Sequence, residues 1–338
     1  MNSSGYNGHM RNLRKQLIDA LAEARKRQHL PVPAPRLAAA LIHDFISLLL
    51  ESRKKRTAMH WRQVSHEHLH RHVFTIRCPD QAFYLDAIKG YFARRGIQPL
   101  EQQTMVFHLE YDESGHTTAI HPPDGQKQDH FMLIAIHVSA TLLPEGKKLA
   151  RDLNAVLRAV DASVHDFPAM HAMLYSLADH LEPDAVEAAE LLRWMGNDRY
   201  IFFGMQTPSR KLGLFRNRQV LEHIVAGLED EAEMLEPAHK AGVEWLHFPA
   251  SQHYLYSAAA LETVRISWKE NQHLVSAILL GHFSRSARHA NASRIPVLRQ
   301  HWKKLLKIPL LAHSAFYRRE IRTLFDRLPK SLLLSTPC

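Results

Sequence analysis

The chain is poor in the residues that staple, hinge or anchor a protein. Only two of its 338 residues are cysteine, Cys78 and Cys338. A disulfide framework and a cysteine-built zinc site are therefore excluded, and a reducing compartment is expected. Glycine is scarce, with 13 residues, about half the ordinary ~7%. No G-x-G-x-x-G follows a strand, and neither G-x-x-x-x-G-K-[ST] nor G-x-S-x-G is present. A dinucleotide loop, a P-loop and a nucleophile elbow are all missing, so no cofactor is expected. The longest apolar stretch, 37–50, is broken by His43 and Asp44 and is too short to span a bilayer. The first 16 residues have no apolar h-region, so a soluble cytoplasmic protein with no membrane partner is expected.

What remains is ordinary globular material. Hydrophobic residues make up 46% and charged residues 23%, which excludes wholesale disorder. At about 100–200 residues per domain, the length predicts two or three domains. The formal charge of +9 is uneven. Residues 1–58 carry 11 Lys and Arg against 4 Asp and Glu, and residues 285–338 carry 12 against 2. The body between them is acidic. Basic ends of this kind bind nucleic acid, an acidic partner or the acidic body itself. No aromatics alternate with the basic residues as in a single-strand binder, and no DNA-reading motif is visible, so nucleic acid is not the favoured partner.

Periodicity predicts helices over 11–28 and 36–52, the second with Leu37, Leu41, Phe45 and Leu48 on one face. Pro31, Pro33 and Pro35 stiffen the link between them. A strand follows at 73–77, with Asp80 as the cap of a helix over 81–95 that Gly96 ends. A hairpin is predicted over 98–111 and 116–121, turning at Ser114-Gly115, then a polar loop at 122–129 and an apolar strand at 131–138. Two helices, one on Leu149, Leu153, Val156, Leu157 and Val160, the next on Met170 to Leu181, precede a third at 184–195. A strand at 200–205, an acidic helix at 217–235, strands at 263–268 and 274–283, and basic helices at 296–307 and 314–327 complete the chain. This order predicts an α+β protein, with open sheets covered by helices on one face. Four parts are expected: a basic helical segment 1–60, α/β domains 61–182 and 183–284, and a basic helical segment 285–338.

Two places carry candidate chemistry. His66-Glu67-His68-Leu69-His70 fits H-E-x-x-H, in which His66 and His70 would hold zinc and Glu67 would act as base, provided that a helix puts the imidazoles one turn apart. The stretch runs straight into a strand, which favours a His-rich edge or loop over a zinc hydrolase. The strand-to-helix turn at Cys78-Pro79-Asp80-Gln81 is the other. A helix N-terminus there would favour an anion such as a carboxylate, with Asp80, Gln81, Tyr84 and Asp86 as candidate ligand-binding residues.

The same turn carries a family resemblance. Pro79 to Ile88, reading PDQAFYLDAI, and then Arg94-Arg95-Gly96 resemble the first ACT-like segment of the large bacterial NAD-dependent glutamate dehydrogenases. Asp80, Phe83, Asp86, Arg95 and Gly96 match that pattern; Ala82, Tyr84 and Ala87 depart from it. Leu153 to Met170, Glu187 to Met195, Asp198 to Gly204, Ile295 to Arg299 and Leu324 to Leu333 are similar to later landmarks of that family, in order. The resemblance implies ACT-like sheets and a non-catalytic regulatory or assembly region, with the Rossmann domain and catalytic lysine outside it. It implies an amino-acid effector, and self-association or association with a glutamate dehydrogenase catalytic region.

Overall fold

Leu13, Leu17 and Leu21 recur at four-residue spacing, which places one apolar stripe along the first helix, α1 (Ser3–Arg27). Leu37, Leu41, Phe45, Leu48 and Leu49 do the same for α2 (Pro35–Leu50), which starts with a proline where the missing N–H is harmless. Both stripes bury against one face of a sheet, meeting Val73, Met105, Phe107, Leu133 and Ala135. A computed structural model describes residues 3–51, 55–66, 69–123, 130–217, 240–247, 261–328 and 333. The chain divides into two compact units, the first essentially Met1–Asp161 and the second from Ala162 onward.

In the first unit, β1 (Ala58–His66) and β2 (Leu69–Pro79) form a hairpin. Next come α3 (Tyr84–Arg94), β3 (Glu101–Tyr111), β4 (Thr117–His121) and β5 (His130–Ser139). The sheet order is β1-β2-β5-β3-β4, with every neighbour antiparallel. Thus β2 and β3, joined through α3, run parallel with β5 inserted between them, a split βαβ arrangement. The β3–β4 turn falls at Ser114-Gly115 as expected, with Gly115 at φ 81° and Gly115 N–H donating to Asp112 O.

Helices cover both faces of this sheet, which corrects the one-faced expectation. Val73 points into the α1–α2 cluster, while its neighbour Phe74 meets Phe92 of α3 edge-on, with ring centroids 5.9 Å apart. Residues 72–79 of β2 and 132–138 of β5 are buried without alternation, the signature of a strand covered on two sides. α4 (Gly146–Leu181) closes the second face through Leu149, Leu153, Val156 and Val160. It is a single helix running through Pro168, where two helices were expected.

The second unit has its own five-stranded antiparallel sheet. It comprises β6 (Tyr200–Gln206), β7 (Lys211–Gly213), β8 (Gly242–His247), β9 (Glu262–Glu270) and β10 (His273–Phe283), in the order β7-β6-β10-β9-β8. The later part of α4 and α5 (Val186–Gly196) bury Met170, Leu174, Ala189, Leu192 and Met195 with Met205, Val264 and Leu279 of the sheet. The core is aromatic, with Trp245 stacked on Phe283 at 4.8 Å and Tyr200 edge-on to Phe202 at 5.0 Å. Helices Leu298–Leu305 and Ala315–Arg327 bring Trp302 and Phe325 to the same core. The acidic segment expected as a helix at 217–235 lies almost wholly outside the described residues. Among the described residues no helix is long and apolar enough to cross a membrane.

Candidate functional site

The turn before α3 is built by a strand that runs on further than expected. β2 continues to Pro79, and Asp80 N–H still donates to His130 O at 2.9 Å. The helix therefore begins only at Tyr84, and Asp80 does not cap it. Phe83 holds the N-cap position at φ 75°, without a side-chain cap bond. A phenylalanine in the left-handed region is strained by about 1–3 kcal/mol, and such strain gathers at sites that the surroundings over-determine.

Of the four candidate residues, two meet. Tyr84 is fully buried, and its hydroxyl donates to Asp161 Oδ1 at 2.7 Å. Arg56 bridges the pair, donating through Nε to the same Asp161 oxygen at 3.0 Å and through a terminal nitrogen to Gln81 Oε1 at 3.1 Å. Burial, and then the hydrogen bond to Asp161, drive the Tyr84 hydroxyl pKa well up, so it remains a donor. Burial also pushes the Cys78 thiol up, with Asp80 and Asp161 adding to it, so this free cysteine is an inert core residue. Asp80 and Asp86 are exposed, and Asp86 sits in the first turn of α3, where its charge favours the helix dipole. Sequence reasoning missed Arg56 and Asp161, which lie on elements remote in sequence. Two cavities of about 390 and 610 Å³ lie elsewhere in the unit, one beside Gly96 and the other between α1 and β3–β4.

His66 ends β1 and His70 lies on β2, on opposite arms of a hairpin, so no helical turn relates them. Glu67 and His68 lie outside the described residues. His70 Nδ1 is 2.9 Å from Ser65 Oγ, and buried His72 donates from Nε2 to Leu143 O at 2.7 Å. Close packing against Gly146 also confines the His72 ring, because a Cβ there would lie 2.5 Å from it.

Two ion pairs, one buried and one with only its carboxylate buried, anchor the first unit's inner helices. Asp44 of α2, 1% exposed, takes Arg62 of β1 in a two-pronged pair, one prong at 2.7 Å. Arg25 of α1 donates to Glu101 Oε1 at 2.6 Å and to Gln103 Oε1 at 3.1 Å. In the second unit, Asp166 accepts from Gly213 N–H at 2.8 Å and from Arg216 at 3.0 Å. Arg299, from the basic C-terminal part, is paired with Glu187 at 2.9 Å and also with Glu190. At least part of that positive charge therefore answers the acidic body.

No family model matches the chain. It is 26% identical over 245 residues, 66% of its length, to the NAD-specific glutamate dehydrogenase of Mycobacterium tuberculosis (strain ATCC 25618 / H37Rv). The aligned part is only 14% of that much longer relative. The chain is thus similar to one region of an NAD-specific glutamate dehydrogenase.

Proposed function

We propose that this chain is a regulatory or assembly region of the kind found in large NAD-dependent glutamate dehydrogenases, with ACT-like sheets and no chemistry of its own. The observation that carries this reading is the alignment with a small fraction, 14%, of a much longer dehydrogenase. The split βαβ order of the first sheet is compatible with an ACT-like assignment.

The ligand in this proposal is an amino acid bound at the turn before α3. Its carboxylate would take Arg56, its ammonium would take Asp161, and Gln81 and Tyr84 would fix the orientation. Ligand would replace an existing internal network, so binding and local rearrangement are coupled. Self-association, or association with a dehydrogenase catalytic region, would transmit the effect.

Calorimetry against a panel of amino acids, glutamate included, tests the ligand. Arg56→Ala and Asp161→Asn should each abolish the heat. Sedimentation, with and without the amino acid, tests assembly. A protein that stays monomeric at every concentration and binds no amino acid ends the proposal.

A further inference from the structure

The register of the first sheet lines up three histidines that sequence reasoning did not connect. His108 of β3 stands directly opposite His121 of β4 on one side and His130 of β5 on the other. Residues directly opposite in a ladder share a face, so the three imidazoles form a row across three adjacent strands. The His108–His121 and His108–His130 ring centroids are 6.4 and 6.2 Å apart. Glu110, two residues along β3, falls on the same face, and its Oε1 lies 3.1 Å from His121 Nε2.

The nitrogens left without hydrogen-bond partners are His108 Nδ1, His121 Nε2 and His130 Nε2, all shielded from solvent. The Glu110 approach to His121 is close but not aligned as a hydrogen bond. Buried imidazole nitrogens without partners are unfavourable unless something else satisfies them. Their pattern has a geometric sense. The central histidine offers its short arm, Nδ1, and the two flanking histidines offer their long arms, Nε2. Strands lie about 4.8 Å apart, so a point just above His108 is within reach of both flanking rings.

We propose that His108, His121 and His130, with Glu110 as fourth ligand, form a site for a divalent transition-metal ion such as Zn²⁺. Neutral imidazoles suit Zn²⁺, and three of them with one carboxylate complete a tetrahedral set. With metal–nitrogen bonds of about 2.1 Å, two rings on one ion have centroids roughly 5–6 Å apart. The rings therefore have to swing inward by an amount on the order of 1 Å, since no three ligating side chains among the described residues hold an ion where they stand. Side-chain rotation suffices, because the strand register already sets the backbones. Such an ion would fasten the edge strand β4 to the centre of the sheet.

The test uses tag-free protein and zinc chloride alone. After dialysis, elemental analysis should find one ion per chain, and Co²⁺ in its place should give the absorption of a tetrahedral site. Zinc should raise the thermal midpoint. His121→Ala and His130→Ala should weaken zinc binding by at least the roughly 10–100-fold that losing a mere outer-sphere partner costs. His70→Ala, on the other hairpin, should leave it unchanged. His121 is half-exposed on an edge strand, so that variant keeps the fold, which circular dichroism checks. No bound ion, or binding that survives both His121→Ala and His130→Ala, overturns the site.

Discussion

The two sheets are alike in outline and different in what holds them. Each has five antiparallel strands, and in each the strand made last in the sequence, β5 or β10, occupies the centre. The first sheet keeps charge inside: Asp44–Arg62 and Arg25–Glu101 lie beneath its helices, and His137 is buried beside Glu101. The second sheet relies on ring packing around Phe283 and on close backbone approach at Gly213 and Gly281. Ion pairs tie helix to strand in the first; shape fixes strand position in the second, where the Arg299–Glu187 pair joins helix to helix. The difference teaches that one sheet plan can be specified either by a few directional polar contacts or by tight apolar fit.

The sharpest way to break the comparison is a methyl group. A Cβ at Gly281 would lie 2.0 Å from Ile201 O, beside a register shift between Leu280 and Gly281. Neither backbone can yield, so Gly281→Ala should destabilise the second unit by at least about 3 kcal/mol. Gly96→Ala in the first unit meets nothing within 4 Å, so its left-handed φ of 65° is the only penalty, about 1 kcal/mol. Denaturant unfolding, resolved by unit with hydrogen exchange, measures both.

The next comparison is acid response. Burial pushes the His137 imidazole down to about 4, with Arg71 and Arg25 adding to the fall and Glu101 opposing it. Between that value and the ordinary ~6.5, the unfolded chain takes up a proton that the folded one refuses. The first unit should therefore lose stability as pH falls from about 6.5 to about 4, by about 3 kcal/mol. His137→Leu should flatten that slope. Glu262 in the second unit has the opposite sign: burial raises its carboxyl, while the bond from Phe283 N–H and the Arg288 charge oppose the rise. Its contribution is lost as pH rises out of the usual carboxylate range, and Glu262→Gln should remove that loss. Exchange rates of β3 and β5 peptides against those of β9 and β10, followed with pH, separate the two.

A smaller effect comes from the pairs themselves. Arg62→Ala strands Asp44, which is 1% exposed, and should destabilise the first unit by about 2 kcal/mol; exposed His43 and half-buried His60 nearby soften the fully buried value. Asp44→Asn leaves an arginine that is 36% exposed and able to turn to water, so it should lose less. Smallest is Asp86→Ala, which removes one favourable charge from the first turn of α3, about 0.5 kcal/mol. Thermal midpoints rank all three.

Where the pattern is local, the sequence was readable. The stripes of α1 and α2, the strand at 73–77, the hairpin turn at Ser114-Gly115 and the strands at 200–205, 263–268 and 274–283 follow from period and turn chemistry. β1 was hidden because AMHWRQVSH is an edge strand with little apolar alternation to betray it. α4 was expected as two helices, yet packing on both sides of Pro168 carries a single helix through. Gln81 and Tyr84 stood among the four residues expected at the turn, with Asp80 and Asp86. Arg56 and Asp161 were not among them, since a hydrogen bond across 77 residues leaves no mark in spacing. The histidine row depends wholly on register, which a single sequence does not reveal.

The central place of the last strand has a consequence for how the protein is born. A ribosome that has released residues 1–123 has delivered four of the first sheet's five strands but not the seam that joins them. Until β5 arrives, β2 and β3 each present an open edge, the kind that recruits other chains. At about 5–20 residues per second the wait lasts seconds. A chain terminated there would be a pair of sticky hairpins, so each sheet is sealed only when its last strand, β5 or β10, has been made.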